Sequence, residues 1–247
     1  MKTILYMLLL FGLALGACKK DGNLETNARV ATINVINAVT DGGAIKVNAS
    51  GKAIGWGNIP VGVNYGAGKL FYGNTSNGVL IKAVLTTDTN KLFFDGIRNL
   101  QSRIYSLYLS GSSTAPDSLF KEEQNYPYIA LDKASYTGSD SVVNIRFVNL
   151  SANSTPLKIN IRSSTVNEVE SLKYKDIGNW KAYPSKTTAT TNYIFEVRDA
   201  ASGTLFTTYT FGATATNRFK NVALVIRGLL GTTSGGNAFG VSAVNYF

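Results

Sequence analysis

The chain of 247 residues has no histidine and a single cysteine, which removes much of the side-chain chemistry that enzymes use. Without histidine there is no His–Ser or His–Cys catalytic pair and no histidine-ligated metal site. One cysteine gives neither an internal disulfide nor an iron–sulfur cluster. Carboxylates need no histidine, and a glycosidase requires two of them set across a cleft. The candidates are Glu122 with Glu123, Glu168 with Glu170, and Asp95, Asp176 or Asp199. All fall in polar segments that read as turns or loops, where solubility accounts for them. "VNYGAGKLFYG" (Val63–Gly73) has the glycines and lysine of a phosphate loop. Val63 and Leu70, however, stand where that loop requires Gly and Ser or Thr. It reads as a glycine-rich turn between strands. No segment spaces its acids as a calcium loop does. No catalytic residue, metal or cofactor is expected.

Aromatic residues carry the remaining signal. Trp56 sits in "GWGN", and Trp180 in "YKDIGNWKAY" between Tyr174 and Tyr183. Flat, partly polar rings on a rigid β scaffold stack on sugar faces, and Lys173, Lys175 and Lys181 would suit an acidic glycan. Trp56, Tyr174, Trp180 and Tyr183 are therefore the candidate ligand-binding residues. The plainer reading, which we favour, is that each tryptophan plugs its core or covers a sheet edge.

The cysteine gives an address. Lys2 precedes an apolar run that extends through "FGLALGA" to Ala17, the pattern of a secretory signal. "Leu15-Gly16-Ala17-Cys18" resembles the bacterial lipobox, in which the nucleophilic sulfur receives a diacylglycerol before cleavage. The resemblance implies residues 1–17 as signal peptide and Cys18 as the lipid attachment, with residues 18–28 as a polar tether. The alternative is a free thiol near the end of an ordinary signal. Lys19-Lys20-Asp21 partly resembles the export signals of surface lipoproteins in the Bacteroidota, and Gly22 departs from them. Surface exposure on the outer membrane is favoured over a spacer facing the periplasm. "Asp117-Ser118-Leu119" and "Asp140-Ser141-Val142" resemble short O-glycosylation sites of exported proteins, although a loop aspartate and a strand start explain them too.

The elements behind these residues read as β structure. There are 13 Tyr and 12 Phe, only 5 Pro, and no long run of Ala, Leu, Glu and Lys at helical period. The formal charge of +9 comes from scattered lysines and arginines. No recognition motif accompanies them, so no nucleic-acid partner is expected.

The chain also repeats itself. "ATINVINAVTDGGAIKVN" (Ala31–Asn48) aligns without a gap on "VNIRFVNLSANSTPLKIN" (Val143–Asn160), 112 residues later. Ile33, Asn37, Lys46 and Asn48 fall on Ile145, Asn149, Lys158 and Asn160. "VLIKAVLTTDTNKLFF" (Val79–Phe94) parallels "YIFEVRDAASGTLFTT" (Tyr193–Thr208). "YSLYLSG" (Tyr105–Gly111) parallels "VALVIRG" (Val222–Gly228), and "YIAL" (Tyr128–Leu131) parallels "VSAV" (Val241–Val244). The expectation is two tandem immunoglobulin-like β-sandwich domains, residues 29–133 and 141–247, joined by a linker at 134–140. Each would hold about seven strands. Alternation in "TINVINA" and "NIRFVNL" suits strands with one buried face. A short helical turn is expected near "VESLKYKDI" (Val169–Ile177).

With strands ending "VINA" or "FVNLSAN", then "IKVN" or "LKINI", then "YSLYLSG" or "VALVIRG", the chain resembles a tandem pair of domain of unknown function 4397. That domain recurs in predicted lipoproteins of the Bacteroidota, and the resemblance implies a fold and a compartment but no catalytic residue. The expected function is a non-catalytic binding or adhesion module, held to the membrane by its lipid, with a glycan or another envelope protein as partner. The alternatives are a structural subunit of a surface assembly and a carboxylate-based hydrolase.

Overall fold

The computed structural model describes residues 30–53, 55–59, 62–124, 126–127, 141–185 and 191–246. The segments expected as signal, tether and linker, with Cys18, lie outside them, as do Tyr128–Leu131 and Asp140. The described residues are all-β. The first half holds β1 (Val30–Asn37), β2 (Ile45–Asn48), β3 (Gly68–Asn74), β4 (Ser76–Leu85), β5 (Leu92–Leu100), β6 (Ile104–Gly111) and β7 (Pro116–Glu122). The second holds β8 (Val142–Asn149), β9 (Leu157–Ile161), β10 (Asn167–Leu172), β11 (Lys181–Pro184), β12 (Thr191–Asp199), β13 (Leu205–Ala213), β14 (Asn221–Arg227) and β15 (Gly240–Asn245).

The strands form two sandwiches with one shared plan. Sheet β3-β1-β6-β7 covers β2-β4-β5 in the first, and β11-β8-β14-β15 covers β10-β9-β12-β13 in the second. The registers repeat as well. Thr32 pairs in parallel with Ile104, as Asn144 does with Asn221, and Ile45 pairs with Leu85 as Leu157 does with Asp199. Strand β15 stands beside β14 as β7 stands beside β6, so the place of Val241–Val244 is taken in the first half by β7. The expected match to Tyr128–Leu131 therefore gives way to one with β7.

Local chemistry explains why the two halves turn alike. At the end of β1 the Asn37 side-chain oxygen accepts the Val39 N–H at 3.1 Å, and at the end of β8 Asn149 accepts that of Ser151 at 3.0 Å. Each amide donates onward, Asn37 to the carbonyls of Gly43 and Val63, Asn149 to that of Leu172. Such side-chain-to-backbone bonds replace a ladder and end a strand. Gly111 and Gly228 both have positive φ (76° and 84°), and a Cβ there would fall on the carbonyl oxygens of Ala115 and Ala238. No other residue fits that turn without strain.

Each half has its own apolar core. Ile33, Val35, Ile81 and Leu107 lie in the first, and Ile145, Ile159, Phe195 and Leu224 in the second. The alternating sequences predict one buried face, but β1 and β8 are buried on both. The reason is a third cluster. Ile36, Ala38 and Tyr108 from one half pack on Val148, Leu150, Ala223, Val225, Val244 and Tyr246 from the other. Sheets β3-β1-β6-β7 and β11-β8-β14-β15 thus meet along a seam through the faces they turn away from their own cores. The expected helical turn is also replaced. Val169 and Leu172 pair with Ile159 and Leu157, and their burial in the second core draws the segment into β10.

Candidate binding cleft beside the seam

A cleft of about 860 Å³ opens where the edges β10 and β11 part and the chain between them crosses to the seam. Two register shifts bend β10 away from β9. The crossing segment is pinned to β8 by three backbone bonds: Lys175 N–H to the Asn149 carbonyl (2.7 Å), Asn149 N–H to that of Asp176 (3.1 Å), and Gly178 N–H to that of Phe147 (2.8 Å). Its first-half equivalent is seen in Gly66, whose N–H reaches the Asn37 carbonyl at the same 2.7 Å. Gly66 and Lys175 share a left-handed backbone, φ 74° and 67°. At Lys175 a residue with a side chain bears strain that glycine would not.

A smaller hollow of about 390 Å³ continues the cleft to the centre of the seam, sharing Lys121, Ile177, Gly178, Asn179 and Trp180 with it. Behind it lies a buried ion pair. The Arg146 guanidinium on β8 donates to both oxygens of Glu123, which follows β7, at 2.6 and 2.7 Å. Their side chains are 4% and 2% exposed. Arg146 also donates to the hydroxyls of Tyr108 (2.6 Å) and Tyr246 (2.5 Å), and the Ser106 hydroxyl donates to Glu123. Burial alone would push the Glu123 carboxyl up, but the guanidinium and the Ser106 hydroxyl outweigh it and hold the group below its ordinary value. For Arg146, burial pulls down and Glu123 more than compensates, so it stays firmly charged. Burial raises both Tyr108 and Tyr246, and brings Tyr126 up to about 12. The centre is therefore an ionised pair capped by neutral phenols.

Trp180 joins seam and cleft. The guanidinium of Arg146 lies 4.4 Å over its ring, and Tyr126 and Tyr246 meet it edge-on at 5.8 and 5.4 Å. Its indole N–H has no acceptor among the described residues. Tyr174 is engaged across the seam, its hydroxyl 2.7 Å from that of Ser110 and donating to Asp117 at 3.0 Å. Burial, with Asp117 beside it, pushes Tyr174 up to about 12. Tyr183 is a core residue, 4% exposed, packed on Phe195 and donating to Glu168 at 2.6 Å. It is no stacking platform: alternation on β11 turns it inward. Trp56 opens a one-turn 3-10 helix (Trp56–Asn58) after β2, and its carbonyl accepts from Lys46 at 2.8 Å. It stands on the outer sheet of the first half and contacts none of the other three candidates.

The lysines divide too. Lys175 pairs with Asp117 (2.8 Å) and Lys181 with Glu168 (2.6 Å), while Lys173 does not line the cleft. Lys121, exposed on the cleft wall, is in no ion pair among the described residues. The sequence analysis singled out Glu123 only as a possible partner of Glu122, and passed over Lys121, Tyr108, Arg146 and Tyr246. The available signal was Arg146, a charge inside the apolar run "VVNIRFVNL".

The chain matches no protein-family model and none of the curated proteins it was compared with.

Most carboxylates expected in turns lie on strands, where the faces turned from the core can carry charge and where Glu168, nearly buried, is satisfied by Tyr183 and Lys181. Asp95 is on β5 with Lys82, Glu122 on β7 with Arg103, Glu168 and Glu170 on β10, and Asp199 on β12 with Thr155. Asp176, in the crossing segment, accepts the Lys173 N–H. The carboxyls displaced from their ordinary values, Asp117, Glu123, Glu196 and Asp199, all move down. A general acid requires the opposite shift. Among the described residues no three acidic, cysteine or histidine side chains cluster to hold a metal. Ser141, in the second candidate modification motif, is 1% exposed and bonded to Arg218, so the folded chain shields it. Ser118 is half-buried on β7.

Proposed function

We propose that the chain is a lipid-anchored, non-catalytic binding module of the cell envelope that recognises glycan through the cleft beside the seam. The observation that carries this reading is the cleft itself. It has the volume of small-ligand sites, the Trp180 indole on its wall, and an exposed lysine, Lys121, that forms no ion pair among the described residues. Its floor is fixed by two packed sandwiches, and rigid sites bind with less ordering cost than loops. Cys18 supplies the tether and the membrane as partner.

The test is binding of the chain from Asp21 onward to an array of polysaccharides and host glycans at low and physiological salt. A selective hit surviving physiological salt, and weakened roughly tenfold or more by Lys121→Ala through loss of one charge-assisted bond, supports the reading. Signal at low salt alone, on every acidic polymer, would reflect net charge and overturn it. Silence across the array would overturn the glycan assignment.

A further inference from the structure

Strands β3 and β11 occupy the same place in the two halves, at the edge of the seam-forming sheet beside β1 and β8. They differ in how that edge is finished. Strand β11 has four residues, "KAYP", begins on a lysine and ends on a proline. Short length, lysine and proline are the usual means of closing an edge to further pairing. Strand β3 has seven residues, "GKLFYGN", no proline, and an unbroken seven-pair register with β1. Its Tyr72 is 65% exposed, and Val30, on the same face of the neighbouring strand, is 42% exposed.

The backbone of β3 shows which groups are free. Thr32 N–H points to the β6 side, to the Arg103 carbonyl, and Asn37 N–H points to the β3 side, to the Ala67 carbonyl. Odd-numbered residues of β1 therefore bond to β3, which engages Lys69, Phe71 and Gly73. The N–H and C=O groups of Leu70 and Tyr72 point outward, where no strand of the described residues pairs with them.

We propose that β3 is a strand-addition edge, and that its occupant is β3 of a second copy of this chain, paired antiparallel about Phe71. The register is self-complementary. Leu70 falls opposite Tyr72 of the second copy, and Tyr72 opposite its Leu70, so the outward groups of both strands exchange hydrogen bonds in pairs. The same pairing lays Leu70 against the exposed Tyr72 ring on each side of the two-fold axis. Lys69, the one charge of the strand, meets Gly73 and not its own copy. A two-fold contact of this kind closes at a dimer, and confinement by a lipid anchor on one membrane favours it further. The contact does not involve the cleft.

The test uses the full-length chain in its own membrane. Phe71→Cys places a thiol opposite its copy in a non-hydrogen-bonded pair, within reach of a disulfide. Mild oxidation should give a band of twice the mass. Asn90→Cys, exposed at the β4–β5 turn, should give none, and adding Tyr72→Pro to Phe71→Cys should abolish it. Proline at Tyr72 removes an outward donor while sparing the bonds to β1. A band of equal strength from both cysteine variants, one that survives Tyr72→Pro, or no band would overturn the pairing. Should Phe71→Cys fail to fold, sedimentation of the detergent-extracted wild type and Tyr72→Pro chains decides. Twice the protein mass for the wild type and a single mass for Tyr72→Pro upholds the dimer, and one mass for both overturns it.

Discussion

Asn34 and Arg146 stand at equivalent positions of β1 and β8, both turned into the seam. Arg146 meets Glu123, Tyr108 and Tyr246, whereas the amide of Asn34, 0% exposed, has no partner at either end among the described residues. Glu123 and Tyr246 are equivalent as well: each follows the last strand of its sandwich and donates its N–H at 2.8 Å to matching residues, Ile104 and Asn221. The contrast teaches how a duplicated unit can pack against itself. Where one face of each copy is buried against the other, a charge repeated in both copies would lie twice in the same dry seam. Two arginines there would repel in a dry site, so the charge occurs in one half and its countercharge in the other. Turn asparagines and positive-φ glycines, which serve bonds within their own half, stay alike.

The sharpest way to break this comparison is to remove the charge. Arg146→Ala leaves Glu123 buried without its partner and should cost about 3–5 kcal/mol, read as a lower urea midpoint. Asn34→Leu replaces an unpartnered amide by an apolar group of similar shape, and should change stability by less than about 1 kcal/mol or improve it. Equal losses at the two positions would remove the asymmetry.

A smaller effect is expected from acid. Glu123 has a folded-state value held below its ordinary 4.5. Its stabilisation is therefore complete above that ordinary value and is lost as pH falls through the lower, folded one. Urea midpoints of the wild type should decline as pH drops below about 4.5, with Glu123→Gln less stable at neutral pH and showing a shallower decline. Parallel curves for the two chains would place the acid sensitivity elsewhere.

Lys175→Gly should do least. It makes the crossing segment like Gly66, relieving left-handed strain of about 1 kcal/mol while giving up a partly exposed pair with Asp117 that contributes a similar amount at most. The two changes nearly cancel, and thermal unfolding should move by no more than about 2 °C. A loss several times larger would mean that the crossing segment depends on Lys175 in a way Gly66 does not suggest.

Much of the fold was legible because its signals are local. Tyr, Phe, Val and Thr fix β structure, and the gapless match of Ala31–Asn48 to Val143–Asn160 carries a shared register that the hydrogen bonds repeat. The match of Gly111 to Gly228 likewise marks one tight turn found twice. The candidate cleft was legible only in part. Trp180 and Tyr183 both border it, although Tyr183 is buried and bonded to Glu168, while Tyr174 turned into the seam and Trp56 to another sheet.

By itself the sequence determined what neighbouring residues settle between themselves: strand type, turn chemistry, the repeat and the absence of histidine chemistry. Only the tertiary structure decided that the two sandwiches share a face. Alternation along a strand says which side chains are paired with which face, but not what covers the second face. That depends on the apolar surface left on the other half, and with it came the burial of Arg146 against Glu123 and the cleft that opens beside them.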